Sequence, residues 1–359
     1  SIMIPRKNLE KARVGIFAVG HAIYWSQFEG LLDTLMHYHA DFAELVRRNE
    51  VEIVDLGMID SNESGYEAAE RIAEAHVDLL FCNMVTYATS SVFAPIMRAA
   101  SVPVVLVALQ PLAAMDYTKA STRMQLENDS ICAVPEFTGV AVRLGKKVSD
   151  VIIGTLYGDE QAEADIHEWC QIAKVLHALK GARMGLMGHT MEAMYDMHAD
   201  PTAISAAFGL HVPLLEIDDL IEQYRTVTDE ELQAKIALID AEFDQPEPKS
   251  DPLTSKLSEE DKIQAAKTAV ALDKLVETKN LTGLAYYYES LPGELSQTVA
   301  TTLIVGNSIL NAALMLALPD ENRGAILGFI EAACVGGCAL SAVIYGLLGD
   351  LFPLYLVFV

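Results

Sequence analysis

The chain has 359 residues, a formal net charge of −25 and a hydrophobic fraction of 52%, enough for two or three domains with sizeable cores. Its 50 acidic against 25 basic residues argue against a nucleic-acid partner, because phosphate recognition needs a basic patch that releases counterions. A small molecule or another protein is the expected partner. Five cysteines (Cys82, Cys132, Cys170, Cys334, Cys338) are an odd number without regular spacing, which argues for free thiols in a reducing compartment. Cys334 and Cys338 lack a second ligand pair, so they do not read as a zinc site. The N-terminus, SIMIPRKNLEKARVGIFAVG, has charges where a signal peptide needs its apolar region, and a cytoplasmic location is expected.

In chain order, Arg13 to Gly20 is a short apolar run of the kind that forms a buried parallel strand, and Glu29 to Arg48 repeats apolar residues at helical spacing. Val51 to Asp55, Val77 to Cys82 and Pro103 to Leu109 read as further strands. Ser64 to Ala75 and Val92 to Ala100 read as the helices between them. This alternation predicts an α/β fold: a doubly wound parallel sheet with helices on both faces, filling a Rossmann-like domain over residues 1–157. Ligands of such sheets bind at the carboxyl ends of the strands, here His21 to Trp25, Asn83 to Ser91 and Gln110-Pro111. No G-x-G-x-x-G follows the first strand, which weakens a dinucleotide reading.

Val148 to Gly154 closes that region, and Glu160 to Leu179 is a long amphipathic helix at the head of a second, incomplete α/β domain, residues 158–310. Ala182 to Met187 and Val212 to Ile217 read as its strands, with Pro201 to Phe208 a helix between them. Thr228 with Glu231, and Ser258 with Asp261, have the spacing of capping boxes that open helices to Phe243 and to about Lys279. Thr282 to Tyr288 reads as a buried strand. From Leu303 the chain turns almost wholly apolar, and Ala325 to Leu348 carries Glu331 as its sole charge over 24 residues. That is long enough to span a bilayer, so residues 311–359 are expected to form a hydrophobic, transmembrane-like helical tail that contacts a membrane.

The chemically densest stretch is Gly185 to Leu220, with a glycine turn, histidines, carboxylates and methionines at helical spacing. His189, Asp196, His198 and Asp200 have side chains that suit manganese. Asp200-Pro201 equally has the form of an N-cap followed by proline at the first helical position. The methionine series Met184, Met187, Met191, Met194 and Met197 reads first as core filler.

Residues 13 to 310 resemble the L-arabinose and L-fucose isomerase superfamily, in its arabinose-isomerase-like branch. The resemblance lies in YATSSVFAP (87–95), VALQP (107–111), AVPEFTGVAVRLGK (133–146), GHTMEAMYDMHADP (188–201), FGLHVPLLEIDDL (208–220) and LAYYYESLPG (284–293). It implies a cytoplasmic homo-oligomer that interconverts an aldose and a ketose with a divalent ion, commonly manganese, at a site built between subunits. It also implies that Tyr87, Gln110, Glu136 and Met191 contact the sugar or line its pocket. The family holds its metal with two glutamates and two histidines, the first of them shortly after the equivalent of Gly306-Asn307-Ser308. Here Ile309 to Leu318 contains no carboxylate, so the metal site is expected to be missing. Residues 321 to 359 resemble a transmembrane helix of a major-facilitator transporter. The resulting expectation is a sugar-isomerase-family protein of carbohydrate metabolism without its metal site. The alternatives are a non-catalytic sugar-binding or assembly module, and a membrane-tethered fusion with a transporter fragment.

Overall fold

The computed structural model describes residues 11–191, 193–195, 198, 200–243 and 256–316. The run Ala325 to Leu348 lies outside the described residues. The chain begins β1 (Arg13–Val19), α1 (Ile23–Gln27), α2 (Leu31–Arg47), β2 (Glu52–Ile59), α3 (Asn62–Ala75) and β3 (Leu79–Asn83). It continues α4 (Ser90–Ala99), β4 (Val104–Gln110), α5 (Thr122–Glu127), α6 (Val134–Arg143), β5 (Asp150–Thr155) and α7 (Glu160–Lys180). Then come β6 (Met184–Met187), α8 (Pro201–Phe208), β7 (Leu214–Leu215), α9 (Ile217–Arg225), α10 (Asp229–Glu242), α11 (Glu259–Thr278), β8 (Gly283–Tyr286) and α12 (Leu295–Leu316). By contact the chain divides into two compact units, with the boundary between Ala178 and Leu179.

The first unit is built on a five-stranded parallel sheet in the order β2-β1-β3-β4-β5. Its central strands are apolar on both sides because both faces are covered. Leu80, Cys82 and Leu106 point to a core formed with α3, α4 and α6, while Leu79, Phe81, Val105 and Val107 point to one formed with α2 and α7. Successive strand residues alternate faces, so a run such as Leu79–Asn83, buried at every position, is what a sheet covered on both sides requires. A bulge interrupts the β1–β2 pairing: Ile16 pairs with Asp55, but Ala18 pairs with Met58. The extra residue falls at Gly57, whose φ of 76° suits glycine. The Asp55 carboxylate accepts the Gly57 amide at 2.8 Å.

Helices α3 and α4 approach closely through Gly65. A Cβ there would come within 2.5 Å of the Val92 carbonyl oxygen. Gly139 in α6 has no such neighbour, with open space where its Cβ would stand.

The second unit carries a three-stranded parallel sheet in the order β7-β6-β8. Both capping boxes form as their spacing predicts, with Thr228–Glu231 opening α10 and Ser258–Asp261 opening α11. Three expectations need correction. The strand expected over Val212 to Ile217 is reduced to Leu214–Leu215, and Ile217 is already the first residue of α9. The reason is a capping box in which the Asp219 carboxylate accepts the Glu216 amide at 2.9 Å; this breaks the extended chain. The strand expected over Thr282 to Tyr288 shortens to Gly283–Tyr286, of which Ala285 alone is buried. Leu303 does not begin a new segment but lies inside α12, where Val299 and Leu303 are fully buried against α9 and α11 residues such as Leu220 and Leu272. Among the described residues, no helix is long and apolar enough to cross a membrane.

Candidate functional site

In the order 2-1-3-4-5 the direction of strand addition reverses between β1 and β3, and open α/β sheets bind ligands in the crevice outside the carboxyl ends of the strands at that point. Beyond β1 the chain runs through Gly20 and His21 into the short helix α1. Its Tyr24 packs edge-on to His21 and Trp25, with ring centroids 5.4 and 6.4 Å apart. The Trp25 indole donates to Asp60 at the end of β2 (2.6 Å). Beyond β3 come Met84, Val85, Thr86 and Tyr87 before α4 begins. The α5–α6 connection, Asn128 to Ala133, reaches the same edge: Asn128 Oδ1 accepts the Leu112 amide beyond β4 at 3.0 Å.

Tyr87 and Glu136 are brought together, the phenol donating to Glu136 Oε2 at 3.3 Å. The other carboxylate oxygen accepts the Ser90 amide at 2.7 Å. Glu136 thus caps the N-terminus of α4 from the first turn of α6. Burial works to raise its carboxyl, but the Ser90 bonds and the Tyr87 hydroxyl hold it below the ordinary glutamate value. A depressed carboxylate contributes stability above its unfolded pKa, and that contribution is lost as pH falls through the lower folded value. Glu136→Gln is therefore expected to flatten the acid end of the stability–pH curve and to cost on the order of 1 kcal/mol at neutral pH, read from urea unfolding at several pH values. An acid limb identical to that of the parent would contradict the capping role.

Around this pair the titratable groups act on one another. Burial, then Asp129 and Cys132, raise Tyr24. Burial, then Glu136, raise Tyr87, with smaller contributions from Tyr24 and Cys132. Burial raises Asp129, offset in part by a hydrogen bond from the Cys132 thiol. Burial and Asp129 raise that thiol in turn. Two hydroxyls in these loops, Thr86 Oγ1 and Ser130 Oγ, are buried without a hydrogen-bond partner. Buried polar groups are normally satisfied, which makes the pair a place where hydrogen-bonding capacity remains. At its accessible edge the arrangement can offer phenols and a thiol, and carboxylates as acceptors, to a neutral polyhydroxylated molecule.

Of the other residues singled out by sequence, Gln110 ends β4 at the same carboxyl edge, and its side-chain amide donates to Leu112 O at 2.6 Å. Met191 belongs to the second unit, beyond β6, and is half-buried there. It follows a turn at Gly188 (φ 81°) that sets His189 against the Tyr287 ring at 4.2 Å. Asp200 serves as the N-cap of α8, accepting the Thr202 amide at 2.8 Å, with Pro201 as the first helical residue. Met184 and Met187 are buried. Asp196 and Met197 lie outside the described residues. Among the described residues, no three histidine, cysteine, aspartate or glutamate side chains are placed to hold a metal ion. Tyr24 and Thr86 fall within the strand-end segments His21 to Trp25 and Asn83 to Ser91 where the sequence placed binding, whereas Asp129 and Ser130 were not singled out. No protein-family model matches the chain, and a search of curated proteins finds no match.

Proposed function

We propose that the chain is a sugar-isomerase-like protein whose first unit binds a sugar or polyol at the carboxyl edge of its five-stranded sheet, without converting it unaided. The observation that carries this reading is the convergence of Tyr87, Glu136, Tyr24 and Asp129 beside the buried, unpartnered Thr86 and Ser130 hydroxyls at the strand-order reversal. The motif resemblance supplies the sugar class. The Glu136 carboxylate fixes the Tyr87 hydroxyl, and Gln110 stands at the neighbouring strand end. Both are suited to orienting vicinal hydroxyls, each hydrogen bond contributing about 0.5–1.5 kcal/mol. No proton-transfer step through a metal is assigned.

Titration of the full chain with L-arabinitol or L-arabinose, followed by NMR, tests the reading. A dissociation constant near the millimolar range is expected from a few such bonds, with shifts centred on Tyr24, Thr86 and Tyr87. Tyr87→Phe is expected to weaken the titration several-fold. In a turnover assay with added manganese, the chain alone is expected to leave arabinose and fucose unchanged. Shifts confined to residues away from this edge, or none at all, would remove the binding reading. Chelator-sensitive turnover above the no-enzyme control would remove the claim that the chain does not act unaided.

A further inference from the structure

His39, on α2, is fully enclosed at 1% exposure, and both ring nitrogens are engaged. Nε2 lies 3.0 Å from Asp55 Oδ1 on β2, and Nδ1 lies 3.1 Å from Asn83 Nδ2 on β3. β2 and β3 are the strands on either side of β1, so the imidazole bridges over β1 at the strand-order reversal. A carboxylate only accepts, so Nε2 carries the hydrogen. In a neutral ring Nδ1 is then bare and accepts from the Asn83 amide. Asn83 is the last residue of β3, and its carbonyl accepts the Val85 amide at 3.1 Å where the chain turns toward Thr86 and Tyr87.

We propose that His39 is a proton-sensitive latch: when neutral it holds the Asn83 amide in its present orientation, and when protonated it forces that amide to turn over, changing the β3–α4 segment that carries Thr86 and Tyr87. Two donors cannot share one bond, so a proton on Nδ1 requires Asn83 to present Oδ1 in place of its NH2. Asp55 faces the ring from β2, and behind Asp55 stands Arg71 of α3, whose guanidinium donates to the Asp55 and Leu56 carbonyls at 3.3 and 3.2 Å. The α2-facing residues of β1 and β3 nearby are Ile16, Ala18, Phe81 and Asn83, none of which titrates. Asp55 stays charged and keeps its bond to Nε2–H throughout, so the added proton acts on the Asn83 side. The latch's effect on ligand affinity rests on the binding reading given above; the latch itself does not.

The experiment follows the full chain by NMR, with labelled histidine nitrogens and backbone amides, from about pH 8.5 to 5. His39 is expected to begin with a protonated Nε2 and a bare Nδ1. As Nδ1 gains its proton, the Asn83 side-chain amide and the backbone amides from Met84 to Ser91 are expected to shift with the same midpoint. His39→Gln keeps a donor and an acceptor but cannot titrate, and is expected to abolish those shifts. A His39 that stays neutral throughout, or titrates without moving that segment, overturns the proposal in the parent protein alone, whether or not the variant folds. Shifts of that segment that persist in a folded His39→Gln also overturn it. In a second arm, L-arabinitol is expected to bind several-fold more weakly at the acid end in the parent and equally at both ends in His39→Gln. Affinity that is unchanged by pH while the latch turns over removes the coupling. Absence of any binding strikes the binding reading and leaves the latch to the first arm.

Discussion

Phe81→Ala is expected to cost the first unit about 3–5 kcal/mol, the largest effect of any single change considered for this protein. Phe81 stands at the middle of β3, with strands on both sides, and is wholly inaccessible. Its ring meets that of Phe42 on α2 edge-on, at a centroid separation of 5.8 Å and an interplanar angle of 84°. Truncation removes the transfer free energy of the ring and the aromatic pair, and leaves a cavity that the flanking Val105 and Ile16 cannot fill without moving strands. A domain is stable by only about 5–15 kcal/mol, so the loss should show as a large fall in the urea midpoint of the first transition. Ile153→Ala on β5, where the side chain is 57% exposed, serves as the comparison and is expected to change stability by about 0.5 kcal/mol or less. A Phe81→Ala cost below about 1 kcal/mol would mean that the α2 face of the sheet is not the packed core described.

The second large effect is a change of sign between two helical glycines. Glycine to alanine within a helix ordinarily stabilises by about 1 kcal/mol through backbone entropy, and Gly139→Ala, with open space around it, is expected to do so. Gly65→Ala places its methyl 2.5 Å from a backbone oxygen of α4, which cannot rotate away as a side chain could. The two helices must separate, and overpacking of this kind costs about 1–3 kcal/mol. Gly65→Val is expected to cost more again, because its branched carbons enter the same gap. Thermal or urea unfolding of the two alanine variants side by side decides the matter. Equal, stabilising shifts would show that α3 and α4 do not meet through Gly65.

Much of the fold was legible in the sequence, because apolar runs such as Arg13–Val19 and Val104–Gln110 admit few readings between glycine and proline punctuation. The capping boxes at Thr228 and Ser258 were legible for the same reason: the bond is local, and both partners are in view. Val212 to Ile217 misled because a short apolar run suits a strand or a helix entry equally, and Asp219 reaching back to Glu216 decides it. The placement of Tyr87 and Gln110 at one sheet edge follows from finding the strands. The approach of Asp129 and Cys132 does not, since it depends on where the α5–α6 connection travels. Asp55 and Asn83 lie 16 and 44 residues beyond His39 in sequence, and nothing local marks any of them as a partner of the others. The buried hydroxyls of Thr86 and Ser130 are likewise a property of packing, invisible in the residue type.

The two sheets differ in how far along the chain each must wait for its strands, and this bears on how the protein comes off the ribosome. β1 has both its neighbours by Asn83, and each later strand of that sheet adds to an edge already present. The first unit can therefore grow in order of synthesis. β6 is the middle strand of the second sheet, yet Met184 pairs with Gly283, so one of its two sides stays open while about a hundred residues are translated. At roughly 5–20 residues per second that is an interval of about 5–20 s, during which Gly185, Leu186 and Met187 present an unpaired apolar edge. Distant pairing is intrinsically slow to form, and such edges are templates for association with other chains. Aggregation during expression should accordingly begin in the second unit, at the β8 side of β6, while the first unit is already folded.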